Sequence, residues 1–352
     1  MDDSLRIAVD ITHPAHFHFF KNAIALWQAR GHDVLILSRD KDLTLDLLDE
    51  AGLQHHCLSR VRKGMLGLAI ELVQHSSGVW RALGRHRSQV VAAIGGTFIA
   101  HAAKLRGIPS LVFYDTEHAK LSNRITYPFA TRIFTPRSYR DDLGAKQERY
   151  NGFQELPYLH PNYFTPDPAK LAVENIQPGE PFTFVRLVAW HSHHDVSDYG
   201  VRNIYHVVEK LSQHGRVLIS SEAPLPDDLK QYERRGAVGD VHHVLAFARL
   251  FFGESATMAS EAAQLGVPGI FLSTSSRGYT DELEREYGMV FNFNGKNARE
   301  EEALECADVL LSDPNSPQIF RERHRKMMAE QIDVTAYIAE TVERYARQST
   351  GH

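Results

Sequence analysis

Cysteine is nearly absent from this sequence, as are long apolar runs and any excess of positive charge. The 352 residues include only Cys57 and Cys306, outside any CxxC pattern, which excludes a disulfide framework and a zinc-finger spacing. The 39 Lys and Arg against 44 Asp and Glu leave a formal charge of −5, so nucleic acid is not an expected partner. No run approaches about 18 apolar residues. The acidic start, MDDSLRIAVD, differs from a secretory signal. We therefore expect a cytoplasmic globular protein.

Short apolar runs alternate with longer segments of helical periodicity, which is typical of α/β proteins with parallel sheets. At roughly 150 residues per domain, the length predicts two domains. The fold class expected is α/β, with two Rossmann-like domains facing each other across a cleft. Strands are predicted at 6–10, 34–37, 90–94, 110–113 and 132–135, and again at 182–188, 217–220, 249–252, 269–272 and 290–293.

A segment with four prolines, 151–168, marks the expected linker between the domains. We predict an N-terminal domain at 1–160, a C-terminal domain at 161–335 and a terminal helix at 336–352 that packs back on the N-terminal domain. In such sheets ligands bind at the carboxyl ends of the strands, so the loops after the strands are where a site is expected.

Histidines crowd the turn after the first predicted strand. The segment DITHPAHFHFF places Asp10, His13, His16 and His18 in or beside this strand-to-helix loop. A histidine has an unperturbed pKa of about 6.5, so one located here can act as general base on a sugar hydroxyl. Each can instead cap the helix or pack beneath it. Three together favour a catalytic role for at least one.

Two further loops of the first half are candidate ligand sites. Gly95 and Gly96 stand between a strand and a helix, where glycine lets backbone N–H groups approach an anion. A tight turn explains them equally well. The segment YDTEHAKLSNR places Glu117 and His118 after the next strand, as a ligand-binding pair or as a capping cluster.

The second half repeats the pattern at two loops. A buried-strand arginine, Arg186, needs a phosphate or a carboxylate as partner, and HSHHD follows it at 191–195. In GESATMASEAAQLGVPGI, small and hydroxyl residues begin a helix after a strand, and Glu261 lies further along it. This arrangement can bind a diphosphate at the helix N-terminus and ribose hydroxyls at the glutamate. A solvated strand-turn-helix is the alternative.

These stretches resemble the nucleotide-sugar motifs of GT-B glycosyltransferases and of the non-hydrolysing UDP-N-acetylglucosamine 2-epimerases. The opening DITHPAHFHFFKNAIALWQARGHDV, the glycine loop GGTFIAHAAKLRGIP and the segment VGDVHHVLAFARLFFGE are similar in layout to parts of the peptidoglycan N-acetylglucosaminyltransferase. Nearly the whole chain resembles a family of predicted GT-B glycosyltransferases marked by DITHPAH-, DTEHA- and AWHxHHD-like motifs.

The resemblance implies roles by position. His16 is the candidate base, with Asp10 as its orienting partner and His13 beside it. Glu261 would bind the ribose, and the nucleobase would meet main-chain groups of 242–245, including His243 and Val244. The residues that would bind the diphosphate are Ser255, Thr257, Gly253, Arg186, His191, His193 and His194. Those on the acceptor side would be Gly95, Gly96, Glu117 and His118. The sequence departs from the patterns of these families in two places. The opening loop lacks the glycines of the peptidoglycan enzyme, and residues 254–256 stand where the nucleotide-sugar motif has a glycine pair.

The implied reaction is transfer of a sugar from a nucleotide sugar to a lipid-linked or surface-polysaccharide acceptor. The resembling families favour a UDP-sugar as the donor. No cofactor or metal is expected, because helix dipoles and basic side chains can stabilise the departing diphosphate. Three alternatives stay open. A 2-epimerase shares the fold and donor site without an acceptor. A metal hydrolase would use the HxH pair His16 and His18 with 191–195. A non-catalytic protein would only bind a nucleotide.

The segment 60–87 is basic and amphipathic. It carries six Lys and Arg but the single acid Glu71, with apolar residues interleaved. Such a segment can bind an anionic membrane surface, which would place the protein peripherally at the inner face of a membrane. An ordinary packed helix pair with a basic rim is the alternative.

Overall fold

The structure is a computed structural model that describes residues 4–117, 120–188, 200–295 and 299–349. The chain forms two compact units. The first comprises Met1–Tyr158 with Ile332–His352, and the second comprises Leu159–Gln331.

The first unit is a parallel sheet with helices between its strands. Its strands, among the described residues, are β1 (Arg6–Ile11), β2 (Asp33–Asp40), β3 (His55–Arg60), β4 (Val90–Ile94), β5 (Ser110–Phe113), β6 (Arg132–Pro136) and β7 (Gln147–Tyr150). The helices between them are α1 (Pro14–Ala29), α2 (Thr44–Glu50), α3 (Gly64–His86), α4 (Ile99–Arg106), α5 (Lys120–Thr126) and, at the end of the unit, α6 (Leu156–Leu159). The strand order is β3-β2-β1-β4-β5-β6-β7, and every pairing is parallel.

The second unit repeats the architecture with a smaller parallel sheet. Its strands are β8 (Phe182–Leu187), β9 (Arg216–Ser221), β10 (Leu250–Gly253), β11 (Gly269–Ser273) and β12 (Val290–Asn294), and its helices are α7 (Ile204–Ser212), α8 (Val241–Leu245), α9 (Ala256–Gln264), α10 (Gly278–Glu282), α11 (Glu300–Ser312) and α12 (Ser316–Glu330). The order is β12-β11-β10-β8-β9. Short 3₁₀ turns cover Gly144–Lys146, Pro168–Glu174, Asp227–Tyr232 and Val238–Asp240, and a π turn covers Leu283–Tyr287.

The α/β class and all ten predicted strands are confirmed. Helix α1 buries Phe20, Ala23, Ile24 and Trp27, which share one face of the helix. The edge strands β3 and β7 were not predicted from the sequence. The cleft between the domains stays a prediction.

The last helix, α13 (Val334–Ser349), belongs to the first unit, although the whole second unit precedes it in sequence. Its Ile338 and Ala339 are fully buried. The Trp27 indole N–H on α1 donates to the Ala339 carbonyl at 3.2 Å, and Arg30 pairs with Glu343 at 2.6 Å. The terminal helix predicted at 336–352 corresponds to α13, which begins at Val334 after a break that follows α12.

Helix α3 is inverted in its first half. Glu71 and His75 are buried, whereas Met65, Leu66 and Val73 are 81%, 76% and 70% exposed. The first half of α3 therefore turns these two polar side chains inward and several apolar side chains to solvent, while the basic residues of the segment 60–87 are exposed. Within the described residues, no helix combines the length and apolarity needed to cross a bilayer.

Candidate active site

In the first unit, a cavity of 610 Å³ lies at the carboxyl ends of β1, β2, β4 and β5, where ligands bind in sheets of this kind. Its lining residues are Asp10, Thr12, His13, His16, Arg39, Lys41, Met65, Leu68, Ala69, Leu72, Ile94, Gly95, Gly96, Thr97, Phe98, Tyr114, Ser122 and Ile125. The structure thus brings together the predicted Asp10, His13 and His16 with the predicted glycines, and adds the cations Arg39 and Lys41.

The two cavity histidines are held by backbone donors at the start of α1. His13 is the N-cap, and its Nδ1 accepts from the Ala15 N–H at 3.1 Å. His16 Nδ1 lies 3.4 Å from the Thr12 nitrogen and 3.3 Å from Thr12 Oγ1. Thr12 can therefore donate to Nδ1, or its hydroxyl oxygen can accept an Nδ1 proton and leave Nε2 free as a base.

Both histidines are neutral at physiological pH. Burial, then the charge of Lys41, lowers the pKa of His13 to about 4 despite the opposing charge of Asp42. Burial, then His13, Lys41 and Arg39, lowers the pKa of His16 to about 3. An anionic ligand would offset the neighbouring positive charges and raise both pKa values.

His18 does not join this cavity. Its ring packs on Phe17 and Tyr158, with centroids 5.4 and 5.5 Å away. His16 and His18 both lie within α1, where residues two apart point to different faces. The HxH ligand pair of the hydrolase alternative is therefore not formed.

The expected pairing of Asp10 with His16 is wrong. Asp10 Oδ1 accepts instead from His75 Nε2 at 2.9 Å, and both side chains are buried. The partner lies on α3, 65 residues along the chain, because α3 packs its polar face over the end of β1. A catalytic role for Asp10 stays a prediction.

The Asp10–His75 contact is one end of a buried polar chain. Ser59 Oγ lies 2.8 Å from His75 Nδ1 and 3.2 Å from Glu71 Oε1. Glu71 in turn accepts two hydrogen bonds from Arg39, at 2.5 and 2.9 Å. The chain therefore links two cavity residues, Asp10 and Arg39, through His75, Ser59 and Glu71, none of which the sequence placed in a site.

The amides of the glycine loop make hydrogen bonds within the fold. The Gly95 N–H donates to the Phe113 carbonyl at 3.0 Å and the Gly96 N–H to the Ile94 carbonyl at 2.8 Å. This agrees with the tight-turn alternative, and a role of the two glycines in acceptor binding stays a prediction. Gly96 is required for another reason: its φ is +68°, and a Cβ there would lie 2.4 Å from Val112 Cγ2.

Glu117 follows β5 and is 7% exposed. It lines a separate cavity of the first unit, not the one around His16. Its predicted neighbour His118 lies outside the described residues. An acceptor-binding role for either residue stays a prediction.

In the second unit, the predicted donor residues gather where β10 meets α9. Ser255 is the N-cap, and its Oγ accepts from the Met258 N–H at 3.2 Å. Thr257 is exposed in the first turn. Glu261 is 7% exposed and lies 2.9 Å from His242 Nε2. A carboxylate and a hydroxyl-rich helix start thus share one edge of the sheet, where the helix dipole favours anions.

Gly253 and Glu254 hold this edge together. A Cβ at Gly253 would lie 2.4 Å from the Arg186 carbonyl oxygen, so only glycine fits. Glu254, which replaces a glycine of the family pattern, accepts from the Val188 and Val201 N–H groups at 2.8 Å each. One carboxylate therefore binds both residues that flank the predicted histidine loop.

Arg186 finds its partner inside the protein. Its guanidinium donates to Ser220 Oγ at 2.8 Å and to Glu222 at 2.6 Å, both at the end of β9. The partner that a buried-strand arginine needs is thus a carboxylate of the same unit. The other members of the predicted phosphate-binding group, His191, His193 and His194, lie outside the described residues.

The predicted base-binding segment forms α8. Val244 is fully buried, so only its main chain can meet a ligand. His243 Nδ1 accepts from the Asp167 N–H at 3.0 Å, its ring packs 4.8 Å from that of Phe164, and burial lowers its pKa. The donor-binding roles of His243 and Val244 stay predictions.

Sequence analysis missed one polar loop of the second unit, which follows β11. Ser275 Oγ accepts from Arg277 at 2.8 Å, and the Ser275 N–H donates to Ser273 Oγ at 3.2 Å. The dense run STSSR between a buried strand and α10 was the available signal. Among the residues that the structure describes, no three His, Cys, Asp or Glu side chains form a cluster that could hold a metal ion.

The family model described as "Protein of unknown function (DUF354)" matches residues 5–282. The chain belongs to this family. Two curated relatives are matched over only 39% and 33% of their own lengths. The second is a UDP-N-acetylglucosamine–N-acetylmuramyl-(pentapeptide) pyrophosphoryl-undecaprenol N-acetylglucosamine transferase of Pseudomonas fluorescens, 33% identical over 116 residues, or 30% of this chain.

Solved structures resemble this DUF354 member over nearly its full length. A UDP-GlcNAc 2-epimerase from Methanocaldococcus jannaschii has a TM-score of 0.66 at 13% identity, covering 99% of this chain and 100% of that one. MurG of Acinetobacter baumannii has a TM-score of 0.62 at 14% identity, covering 97% and 99%. At these identities the likeness shows the fold, which is the GT-B fold of glycosyltransferases and epimerases.

Proposed function

We propose that this DUF354 member is a glycosyltransferase that moves a sugar from a nucleotide-sugar donor, a UDP-sugar in the first instance, to an acceptor hydroxyl. The observation that carries the proposal is the 610 Å³ cavity of the first unit, where a neutral histidine, a carboxylate and two cations meet at the strand ends of a GT-B fold. Such a cavity has the size of a small-molecule site, and its groups suit an acceptor that must lose a proton.

The proposed step uses His16 as the base. The acceptor oxygen attacks the anomeric carbon of the donor, the bond from that carbon to the diphosphate oxygen breaks, and the acceptor proton passes to His16 Nε2. Thr12 Oγ1, 3.3 Å from Nδ1, takes the orienting role that the sequence assigned to Asp10. Asp10 and Arg39, held by the buried chain through His75, fix the walls around it.

In the second unit, Ser255, Thr257 and Glu261 support donor binding. The start of α9 would stabilise the diphosphate as it departs, and the Glu261 carboxylate would accept from ribose hydroxyls. Because the leaving charge is met by a helix end, the proposed transfer does not require a metal. Activity should therefore survive EDTA; complete loss restored by zinc or manganese would contradict this part of the proposal.

A thermal-shift screen tests the donor site. UDP, GDP, CDP and TDP are added to the wild type, to Glu261→Gln and to the exposed-carboxylate control Glu305→Gln. A nucleotide that binds the native state raises the Tm by mass action. We expect one nucleotide to stabilise the wild type and Glu305→Gln but not Glu261→Gln. Stabilisation by none of them would contradict the proposal, and stabilisation by zinc alone would favour a hydrolase.

A 2-epimerase is the second candidate, because a UDP-GlcNAc 2-epimerase structure matches 99% of the chain at a TM-score of 0.66. It needs no acceptor. Incubation with UDP-N-acetylglucosamine alone distinguishes the two: formation of UDP-N-acetylmannosamine favours the epimerase, and transfer only in the presence of an added acceptor favours the transferase. Nucleotide binding without any turnover would indicate a non-catalytic protein.

We further propose that the segment 60–87 contacts an anionic membrane surface and that the acceptor is lipid-linked. Its single acid, Glu71, is buried against Arg39, so no acid within the segment offsets the six basic residues at the surface; Arg60 alone pairs with an acid from a described strand outside it, Asp40, at 2.6 Å. Met65 and Leu66 project from the same end of α3 that lines the cavity. Leu66→Ser should weaken co-sedimentation with vesicles containing phosphatidylglycerol. Leu105→Ser, at an equally exposed leucine of α4, should not.

A further inference from the structure

A second cavity in the first unit, of 470 Å³, lies on the other side of α5 from the His16 cavity. Ser122 and Ile125 of α5 line the His16 cavity, whereas Asn123 and Arg124 line this one. The remaining lining residues are Glu117, Tyr127, Pro128, Ile133, Tyr139, Asp141, Leu143 and Lys146. Its volume is in the range of small-molecule sites, roughly 300–1,000 Å³.

Glu117 is the unusual group in this cavity. It is 93% buried by area, since its exposed fraction is 7%. Oε1 accepts from the Arg140 N–H at 3.1 Å, but Oε2 has no hydrogen-bond partner among the described residues. A buried carboxylate oxygen without a donor costs stability, so in most folded proteins a protein group, a water, an ion or a ligand supplies the donor.

The cations of the cavity do not supply that donor. The Lys146 ammonium donates to the carbonyls of Tyr127 and Pro128 at 3.2 and 2.7 Å. Arg124 is exposed. Among the residues that the structure describes, therefore, none donates a hydrogen bond to Oε2.

Two tyrosine hydroxyls complete the polar wall. The hydroxyl oxygens of Tyr127 and Tyr139 lie 3.5 Å apart, and burial raises the pKa of both, so each is a neutral O–H that can donate and accept. Pro128, Ile133 and Leu143 form apolar walls. The cavity thus combines a carboxylate that needs donors, neutral hydroxyls that can donate and accept, and apolar or aromatic faces. These groups match a ring that carries several hydroxyls. A compact anion would be repelled by Glu117 and Asp141.

We propose that this cavity is a saccharide-binding subsite in which the Glu117 side chain turns on binding so that Oε2, covered in the free protein, accepts from ring hydroxyls, and that it holds a sugar of the acceptor. The inference that the sugar belongs to the acceptor rests on the proposed glycosyl transfer; the saccharide site itself does not. Glu117 acts here in binding, apart from the proton transfer assigned to His16.

The test measures binding of simple glycosides by the full chain. Saturation-transfer NMR uses the methyl β-glycosides of glucose, galactose, mannose and N-acetylglucosamine with the wild type, Glu117→Gln, Tyr127→Phe and the exposed control Glu50→Gln. Glutamine keeps the oxygen that accepts from Arg140 but replaces Oε2 by a group that cannot accept. We expect at least one glycoside to bind, about tenfold or more weakly in Glu117→Gln, as for a lost charged hydrogen bond, and unchanged in Glu50→Gln.

Stability separates a ligand site from a structural carboxylate. Because Oε2 is unpartnered, Glu117→Gln should leave the Tm unchanged or raise it while weakening glycoside binding. A lower Tm for Glu117→Gln, unchanged affinity in both cavity variants, or no glycoside binding by the wild type would overturn the proposal. Loss of glycoside binding in Glu261→Gln with retention in Glu117→Gln would place the sugar at the donor site and also overturn it.

The same samples distinguish this proposal from glycosyl transfer. If no nucleotide stabilises the protein but glycosides bind through Glu117, the saccharide site stands and the transferase proposal fails. If UDP binds and no glycoside does, the transferase proposal stands and this one fails.

Discussion

The Nε2 atom of His75 lies 2.9 Å from Oδ1 of Asp10, and neither side chain is more than 2% exposed. Removing the imidazole leaves a buried carboxylate and the Ser59 hydroxyl without their partner. We predict that His75→Leu lowers the free energy of unfolding by about 2–4 kcal/mol and that His75→Gln, which keeps a donor, costs less. Urea unfolding measures both. His56→Leu, at an exposed histidine of β3, should stay within about 0.5 kcal/mol of the wild type.

The Arg39–Glu71 pair gives a second prediction. Burial alone would raise the pKa of Glu71, but hydrogen bonds from Arg39 and the Arg62 N–H outweigh it and lower the pKa. Arg39→Met leaves the carboxylate buried and should cost about 3 kcal/mol or more in urea unfolding. The double variant Arg39→Met/Glu71→Leu should be more stable than Arg39→Met alone. If the double variant is the less stable of the two, the pair is not the source of the loss.

The neutral cavity histidines predict a pH dependence of stability. Their pKa values, about 4 for His13 and about 3 for His16, lie below the unfolded value of 6.5. Between these limits the unfolded chain binds more protons, so acidification from pH 6.5 toward 4 destabilises the fold. The double variant His13→Gln/His16→Gln should lose less Tm than the wild type over this interval in calorimetric scans. Equal losses would show that the two side chains titrate normally in the folded protein.

Alanine substitutions at the two glycines of the β4–α4 loop test separately two effects of an added methyl group, backbone strain and steric overlap. Gly95 and Gly96 have φ of +69° and +68°. A Cβ at Gly95 meets only ordinary contacts with Tyr114 at 3.7 Å, whereas one at Gly96 would lie 2.4 Å from Val112. We predict a cost of about 1 kcal/mol for Gly95→Ala from backbone strain alone and a larger cost for Gly96→Ala, measured by urea unfolding. Equal costs would contradict the close approach to Val112.

Apolar patterning was enough to predict every strand except the two edges of the first sheet. The predicted strands carry the apolar runs that are typical of strands in parallel sheets, including the edge strands β9 and β12 of the second sheet. Strand β3, HHCLSR, and strand β7, QERY, lie at the two edges of the first sheet and carry the polar side chains that edges tolerate. Their sequences therefore lack the apolar signal on which the prediction relied.

The residues of the site were predicted better than their partners. The loop positions of Asp10, His13 and His16 follow from the chain order of strand and helix. The contact of Asp10 with His75 depends on how α3 turns, and α3 turns its polar face inward, against the usual rule for amphipathic helices. The role of Glu254 was hidden for a similar reason, because its two backbone partners are distant in sequence.

The return of α13 to the first unit has a consequence for the order of events during synthesis. The buried indole of Trp27 donates to the Ala339 carbonyl, a residue made 312 positions later. The second unit, Leu159–Gln331, is a continuous stretch and is complete before α13 leaves the ribosome. At a synthesis rate of about 5–20 residues per second, the first unit waits many seconds with that face of α1 uncovered. The unit that begins the chain is therefore the last to be completed.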